Sequence, residues 1–527
     1  QWTVPGFGNV VLPVDNDGQG YFATEAGGTV LNLNYEVARS QVRRLRDNLS
    51  TYLTGNYVIP LEISEKLAQT EKLLSEAETL TGASQASAAD QAANIALWAL
   101  EELELARAQQ DIEQYRKGDL AITVLDSSGD PVPNATVTYE QTSHDFMFGI
   151  FDTLNNVGTE GYELMGDAGI NYVTSGFYWT ETEPEQNQFA WDSIDHSIGV
   201  IDIAELGFPQ KGHALIWPLD FMTPAYMTDM DFAAYQQACV DHVSALVSRY
   251  ANEVEIWNVI NEAHGWGASG GFTRAQITEL TRSGVDAIRA NDPDARVIVN
   301  NSFAWYGESR VFASLITGEP DDFTIAIPAY LDQLNADGIE YDIIGQQMYN
   351  GGFIEVLALF GVADYVSVPT WDLAHLSDLM DVLNTYGLPV HITEQSVPSS
   401  WDPLWAQHRA GWWHRPWDPQ IQADFVEQYY TIVFSKPHNE AMTWWNINDN
   451  YSFIVDGGLF DKNNQPKPAY YALQDLLLNQ WRTRGEANTG EDGQLALRGF
   501  GGDYTITVTS PDGQTWTGPA HITEQQP

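Results

Sequence analysis

Eight short apolar segments alternate with amphipathic helical stretches between residues 145 and 482, and this alternation constrains the fold more than any other feature. Buried parallel strands are continuous apolar runs, and each parallel pair needs a crossover that is usually helical. Eight such units in about 340 residues predict an α/β fold, a closed (β/α)8 TIM barrel. The predicted strands are Asp145–Ile150, Asn171–Ser175, Gln210–Trp217, Val254–Ile260, Arg296–Asn300, Tyr341–Gln347, Pro389–Thr393 and Ala441–Trp445.

Two of the predicted strands end abruptly in a glutamate. One apolar run ends at Asn261 and Glu262, and another ends at Glu394. In a TIM barrel, the C-terminal ends of the strands build the active site. Two carboxylates on different strands indicate paired-carboxylate chemistry, of which glycoside hydrolysis is the commonest form. A single glutamate at such a position is more often a solvated or ion-paired loop residue, so the prediction depends on the pair and on the barrel pattern.

The segments outside the barrel predict smaller attachments. Residues 1–34 read as short strands and turns, and residues 35–118 have a helical pattern to which we assign a structural role. A strand-turn-strand pattern occurs in residues 119–144 and again in residues 483–527. We expect these two segments to pair into one small β-sandwich, which would bring together the two ends of the barrel domain, residues 145–482.

Charge and cysteine content exclude several classes of partner. The chain has 72 acidic and 24 basic residues, and this net charge of −48 argues against nucleic acid and membranes as partners. Its single cysteine, Cys239, allows no intramolecular disulfide and no cysteine zinc site, and we interpret it as a small buried apolar residue. No run approaches transmembrane length. The numbering begins at Gln1, which fits a removed signal peptide, so we expect a secreted or extracellular protein.

Several motifs follow one another along the barrel segment in the order of a known family. Residues 257–262 (Trp-Asn-Val-Ile-Asn-Glu) and residues 391–394 (His-Ile-Thr-Glu) resemble its acid/base and nucleophile signatures. Further segments that resemble family motifs are Trp179–Pro184, Lys211–Trp217, Gly345–Tyr349, Thr443–Asp449 and Gly458–Tyr470. Any one of these motifs alone would be weak evidence for the family, but together and in this order they are strong evidence. The family they resemble is glycoside hydrolase family 10, the endo-β-1,4-xylanase family.

The resemblance implies a retaining mechanism in which Glu394 attacks the anomeric carbon. Glu262 would protonate the leaving oxygen and then activate water, and Asn261 would hold the sugar 2-hydroxyl. Other matched residues would contact the sugar or the nucleophile, or wall the pocket: His213, Gln347, Tyr349, Trp217 and Trp445. A satisfied core histidine is the alternative for His213, and barrel packing is the alternative for the tryptophans. No phosphate-binding loop or metal-ligand spacing occurs, so we expect no cofactor and no metal.

The chain departs from the family pattern in the region that binds xylan. Tyr349 replaces the usual histidine, Pro218 follows Trp217 where another histidine is usual, and the second-strand motif lacks the family's Glu, Asn and Lys. From the resemblance we expect the substrate to be a plant or algal polysaccharide, xylan-type first, and these departures are the reason for keeping other substrates open. The alternatives are another β-glycan, a decorated or uronic-acid-bearing oligosaccharide, and exo cleavage. A non-catalytic carbohydrate-binding barrel is the alternative from a different functional class.

One loop, Ser399–Pro419, has no counterpart in the family. It follows the nucleophile strand and carries five tryptophans together with histidines and arginines. We expect it to line the cleft, with Trp412 and Trp413 binding sugar and its cations meeting an anionic substituent. In the alternative, the loop folds on its own aromatic side chains and its arginines pair with nearby acids.

Overall fold

The computed structural model describes residues 31–219, 221–264, 272–302, 326–351, 372–400 and 412–525. Within these residues the chain forms three helices, then a closed barrel, and a small β-module built from strands on both sides of the barrel sequence. The predicted fold class is therefore confirmed. Most of the predicted strands of the segment 1–34 lie outside the described residues.

Eight parallel strands close into one barrel in which each strand pairs with its neighbours along the chain, and the eighth pairs with the first. The eight strands are Met147–Phe151, Tyr172–Gly176, Gln210–His213, Ile256–Asn261, Arg296–Asn301, Ile343–Gln347, Val390–Gln395 and Asn439–Trp445. The third strand is shorter than predicted. After His213 the chain leaves the sheet and returns only for one bridge, between Ile216 and Ile260.

The helices around the barrel begin where short polar side chains can cap them. Asp231, Asp372 and Asp418 each accept hydrogen bonds from the first turn of a helix, and Thr273 forms a capping box with Gln276. No described helix is both long and apolar enough to cross a bilayer. The helices of this region are Leu154–Asp167, Trp179–Thr182, Val200–Glu205, Phe232–Tyr250, Arg274–Asn291, Ile327–Ala336, Leu373–Asn384, Pro419–Ser435 and Pro468–Asp475, with shorter turns at Ser193–Ile198, Ala225–Met227 and Leu476–Gln480.

Strands from before and after the barrel sequence pair with each other. Lys117–Thr123 pairs with Gln494–Phe500 in one antiparallel pair. A four-stranded antiparallel sheet has the order Arg484–Asn488, Thr136–Gln141, Gly502–Thr509 and Thr515–Ile522. The small core of this module includes Val137, Leu497, Tyr504, Ile506 and Ile522. The ends of the barrel segment are thus held together, while the residue boundaries given above for each domain remain predictions.

The three N-terminal helices pack on each other and on the barrel. They span Leu33–Thr54, Leu61–Glu78 and Gly82–Tyr115. Ion pairs join them to the barrel helix that begins at Leu373. Arg44 donates to Asp372 and Asp378 at 2.8 Å each, and Arg107 donates to Asp381 at 2.9 Å. Each of these pairs joins residues more than 250 positions apart in the chain, so the helical region is attached to the barrel by contacts between distant segments.

Candidate active site

The two glutamates lie together at the C-terminal mouth of the barrel. Glu394 is buried in the seventh strand, and Glu262 directly follows the fourth. The Glu262 backbone has a φ of 54°, in the left-handed region that non-glycine residues rarely adopt. Its amide donates to the carbonyl of Asn300 at 2.9 Å, which helps to hold this conformation. Backbone strain of this kind is concentrated at active sites, where the surroundings enforce it.

Gln347 connects the two carboxyl groups. Its side-chain nitrogen donates to Glu262 Oε1 at 2.7 Å and to Glu394 Oε1 at 3.0 Å. The two oxygens can therefore be no farther apart than the sum of these distances, about 5.7 Å. A shift in register on the sixth and seventh strands places Gln347 opposite Glu394, although Gln346 is opposite Ile392. A bulge of this type redirects side chains next to an active site.

Three neutral donors surround the Glu394 carboxyl group. The Tyr349 hydroxyl donates to Oε2 at 2.7 Å, and the amides of Asn300 and Gln347 donate to Oε1 at 3.0 Å each. Hydrogen bonds to a carboxylate stabilise its charged form. Glu262 accepts fewer hydrogen bonds and is partly exposed to the cleft. The two carboxyl groups are therefore in unequal environments.

The pKa values of the two carboxyl groups reflect this inequality. Burial, reinforced by the negative charge of Glu394, raises the pKa of Glu262 to about 8. Burial also raises the pKa of Glu394, to about 7, against the opposing effects of Tyr349, Lys211, Asn300 and Gln347. Glu262 thus holds its proton to higher pH than Glu394 does. Two carboxyl groups whose environments separate their pKa values are suited to acid and nucleophile roles.

Asn261 and His213 complete the polar floor of the site. Asn261 Oδ1 accepts from Asn300 at 2.7 Å, and its buried Nδ2 has no protein partner among the described residues. His213 Nδ1 faces the Asn258 amide nitrogen at 2.9 Å and so acts as the acceptor. Its proton is therefore on Nε2, which lies 3.7 Å from Glu394 Oε1. Burial and the charge of Lys211 hold the pKa of His213 well below its usual range, so the ring is neutral.

A cleft of about 670 Å³ opens over the carboxyl pair and has mostly aromatic and apolar walls. Trp445 lies flat on Phe151, with ring centroids 3.7 Å apart and an interplanar angle of 7°. Trp217 lines another wall. The ring of Phe221 is exposed, and its centroid lies 6.1 Å from the centroid of the Trp217 ring. The other described residues that line the cleft are Tyr178, Glu181, Leu219, Met222, Tyr349 and Phe453, with the polar residues described above. Both Trp217 and Trp445 are therefore at positions where a sugar ring could contact them.

Trp413 is not at the cleft, contrary to the expectation for its loop. Its ring is only 1% exposed, packs edge-on against Phe425, and donates its indole hydrogen to Glu101 of the third N-terminal helix at 3.1 Å. His414 donates to the same carboxylate and stacks on Trp98 with centroids 3.9 Å apart. Trp413 and His414 thus contact the third N-terminal helix. Residues 401–411 and the Trp412 side chain lie outside the described part of the chain.

Asn300, Lys211 and Tyr178, which act on the Glu394 carboxyl group, were absent from the residues selected from the sequence. Other cleft-lining residues were also absent from that selection: Glu181, Leu219, Phe221, Met222 and Phe453. Asn300 is the last residue but one of the fifth barrel strand, a polar residue after an apolar run, so the rule that singled out Glu262 would also have selected it. Lys211 lies inside the third strand, and Tyr178 lies in the segment after the second. In the sequence, neither is distinguished from a solvated polar residue.

The fold and the site together define a class of protein. A TIM barrel with two carboxyl groups on different strands at its C-terminal mouth, within hydrogen-bond reach of one amide, is the arrangement of a glycoside hydrolase. The chain belongs to glycosyl hydrolase family 10, whose sequence model matches residues 140–476. This match covers more than half of the chain and confirms the family predicted from the motifs.

Known relatives are similar over different portions of the chain. An anti-sigma-I factor, RsgI6 of Acetivibrio thermocellus, is 25% identical over 430 residues, which cover 77% of this chain and 46% of that protein. Endo-1,4-beta-xylanase 3 of Hypocrea jecorina is 24% identical over 320 residues, covering 60% of this chain and 77% of the enzyme. The chain thus spans less than half the length of the anti-sigma factor and most of the length of the fungal enzyme.

Solved structures are similar at lower identity. Native xylanase 10B from Thermotoga maritima is 21% identical with a TM-score of 0.47, covering 64% of this chain and 96% of that structure. The complex of xylanase 10B from Thermotoga petrophila with xylobiose is also 21% identical, with a TM-score of 0.45. The match covers 64% of this chain and 95% of that structure.

Proposed function

We propose that the chain is a retaining glycoside hydrolase that cleaves β-linked polysaccharide of the xylan type, with Glu394 as nucleophile and Glu262 as acid/base. The observation that carries this proposal is the Gln347 amide, which keeps one oxygen of each carboxyl group within about 5.7 Å of the other. Retaining enzymes need a separation of about 5–5.5 Å, whereas inverting enzymes need about 6.5–9.5 Å to admit a water molecule.

In the first step, a Glu394 oxygen attacks the anomeric carbon while the glycosidic carbon–oxygen bond breaks. Glu262 gives its proton to the departing oxygen, and a covalent glycosyl ester of Glu394 remains. In the second step, Glu262 takes a proton from water, and the water oxygen attacks the same carbon. The ester bond breaks, Glu394 regains its charge, and the product has the configuration of the substrate.

The unequal pKa values support this division of roles. The acid must be protonated near neutral pH, and the pKa of Glu262 is raised to about 8 by burial and by its neighbour Glu394. The nucleophile must be ionised, and Glu394 accepts three hydrogen bonds that favour its charge. The buried Asn261 amide nitrogen, which has no protein partner in the described part of the chain, is suited to a sugar hydroxyl at the cleavage point.

A different β-glycan is the second candidate substrate, and the cleft walls are the reason to keep it. Tyr349 follows the sixth strand and contacts Phe453, which follows the eighth, with ring centroids 4.8 Å apart. Leu219 and Met222, which follow the third strand, also line the cleft. A uronic acid is less favoured, because no lysine or arginine belongs to the described lining of this cleft. The names of several curated relatives, all endo-1,4-beta-xylanases, favour xylan as the first substrate to test. The oligosaccharide partner and the extracellular location also remain predictions.

Hydrolysis of a panel of β-glycans tests the proposal. Xylan, mixed-linkage glucan, cellulose and mannan would be incubated with the parent chain and with Glu394→Ala, and reducing ends would be measured. The proposal expects one β-glycan to be cleaved by the parent and turnover to fall at least about 10³-fold in the variant. Glu262→Ala should retain most activity on aryl glycosides with good leaving groups, because they need little protonation. Turnover of all substrates by Glu394→Ala at the parent rate would refute the assignment.

A further inference from the structure

Lys211 is a buried cation that takes no direct part in the two-step reaction above. It lies in the third barrel strand with 1% of its surface exposed. Its ammonium nitrogen has no hydrogen-bond partner among the described residues. A buried ammonium group without a partner costs several kcal/mol, so its retention calls for a nearby negative charge or a function.

Strand geometry shows where the Lys211 side chain points. Successive side chains of a strand alternate between its two faces, so Lys211 and His213 share one face. His213 faces the barrel interior, because its Nε2 lies 3.7 Å from Glu394 Oε1. Gly212 faces outward, where an added Cβ would come within 2.4 Å of the Trp257 ring. Lys211 therefore points into the barrel, two residues or about 6–7 Å below His213 along the strand.

The order of the barrel strands places Lys211 opposite the nucleophile strand. In the closed order of eight strands, the third and seventh are separated by four positions on either side, so they face each other across the axis. Glu394 lies near the top of the seventh strand. The Lys211 stem thus extends from the opposite wall into the interior beneath Glu394. Burial lowers the pKa of Lys211 to about 7, and the negative charge of Glu394 opposes that fall by favouring the charged ammonium. The positive charge of Lys211 in turn lowers the pKa of Glu394 against the effect of burial.

Glu440, a carboxylate on the eighth barrel strand, already has partners. At the lower end of the barrel, Glu440 accepts from Arg296 at 2.7 Å and lies 3.6 Å from His391. Burial lowers the pKa of His391 to about 4, so this ring is neutral near pH 7. Glu440 is therefore matched by Arg296, which leaves Glu394 as the counter-charge for Lys211.

Around Glu394, the remaining titratable groups cannot supply a positive charge. Glu262 is a carboxyl group and repels the negative charge of Glu394. Tyr178 and Tyr349 are neutral, because burial raises the pKa of each far above its usual range. His213 is neutral as well. Among the described residues, Lys211 is the cation that acts on the nucleophile.

We propose that Lys211 is a positioning residue that keeps Glu394 ionised from across the barrel, without touching the substrate. This inference rests on the proposed function, in which Glu394 is the nucleophile. It assigns a task to a residue that is costly to bury and that is otherwise unexplained. A purely structural lysine would affect stability without changing the pH at which the nucleophile becomes active.

Neutral variants of Lys211 test the proposal by their pH dependence. Lys211→Met and Lys211→Gln remove the charge with a similar side-chain length, and Lys211→Arg retains it. Lys72→Met is the matched control, since it removes an exposed lysine from an N-terminal helix. The rate constant kcat/KM for an aryl β-xylobioside would be measured from pH 4 to pH 9. In the pH profile of kcat/KM, we expect the acidic limb of the neutral variants to shift to higher pH by at least about one unit. The acidic limb of the control and of Lys211→Arg should coincide with that of the parent.

A second readout separates failure of this inference from failure of the proposed function. The Glu394 carboxyl carbon would be titrated by NMR in chain labelled with ¹³C-glutamate, with Glu262→Gln as the background. We expect the Glu394 midpoint to rise by about one pH unit or more in Lys211→Met. An unchanged midpoint and acidic limb in a folded neutral variant would overturn the inference. If the parent hydrolyses no β-glycan, the proposed function fails, whereas a raised midpoint would still establish the effect of Lys211 on Glu394.

Discussion

Tyr349 donates its hydroxyl hydrogen to Glu394 Oε2 at 2.7 Å, at the position where the family usually has a histidine. A histidine there would titrate near physiological pH, whereas a buried tyrosine stays neutral across the working range. The nucleophile therefore has a donor whose charge does not change with pH. The local electrostatics of the pair are accordingly set by the two glutamates and by Lys211.

Loss of this hydrogen bond should impair the nucleophile without unfolding the protein. A hydrogen bond to a charged group contributes about 1.5–3 kcal/mol, which corresponds to roughly 10- to 100-fold in rate. We expect kcat/KM of Tyr349→Phe to fall by about this factor, with the acidic limb displaced to higher pH. Tyr451→Phe, which alters an exposed tyrosine, is the control. If Tyr349→Phe had the same kinetics as the parent at every pH, the hydrogen bond would have no role in the reaction.

Glu262, the proposed catalytic acid, should reduce stability at neutral pH. The pKa of Glu262 is raised in the folded chain to about 8, above the ordinary value of 4.5, so folding favours its protonated form. The resulting contribution to the free energy of unfolding is fully present below about pH 4.5 and is lost as the pH rises toward 8. Glu262→Gln should therefore be more stable than the parent at pH 8, by about 1–3 kcal/mol, and the difference should shrink toward pH 5.

Urea unfolding of both proteins at pH 5 and pH 8 measures this difference, with the exposed Glu65→Gln as the control. A constant difference across the two pH values would mean that the pKa of Glu262 is not raised by folding.

Trp413 should matter for folding and not for the choice of substrate. It is buried between the barrel and the N-terminal helices and donates to Glu101, so Trp413→Ala leaves a cavity and removes one of the hydrogen bonds to that buried carboxyl group. We expect a loss of about 3–5 kcal/mol in the free energy of unfolding. Trp516→Ala, at a tryptophan that is 59% exposed, should cost little. An unaltered urea midpoint together with a changed preference among glycans would reinstate Trp413 as a substrate contact.

Phe221 is the aromatic residue most suited to binding sugar at the edge of the cleft. It is 71% exposed and lies edge-on to Trp217, so the ring is available to a ligand at little structural cost. Phe221→Ala should raise KM by about 5- to 10-fold, equivalent to roughly 1 kcal/mol, with little change in kcat or Tm. The control is Tyr471→Ala, an exposed aromatic residue on a distant helix. Identical KM values for Phe221→Ala and the parent would remove Phe221 from the binding surface.

The barrel and its two glutamates were accessible from the sequence because each depends on a local pattern. Buried parallel strands are continuous apolar runs, and a charged residue at the end of such a run stands out. The third strand was predicted to reach Trp217 because the apolar run continues, but the chain leaves the sheet after His213. Nothing in the run itself marks that departure.

The remaining parts of the site depend on contacts between distant segments. Trp413 was assigned to the cleft because its loop follows the nucleophile strand, yet Glu101, more than 300 residues earlier, accepts its indole hydrogen. Lys211 faces Glu394 only because the strands close into a barrel that places them opposite each other. Gln347 reaches both carboxyl groups through a register shift. Pairing across the chain and local bulges of this kind are not encoded in any short motif.

The stereochemistry of the first product tests the central claim most directly. Proton NMR of a xylo-oligosaccharide, or of whichever β-glycan the panel identifies, would follow the anomeric signals during the first minutes of hydrolysis at high enzyme concentration. Carboxyl oxygens within about 5.7 Å, bridged by Gln347, predict that the β-anomer forms first and that the α-anomer appears only by slow mutarotation. Initial formation of the α-anomer would show inversion, and it would contradict the assignment of Glu394 as a nucleophile.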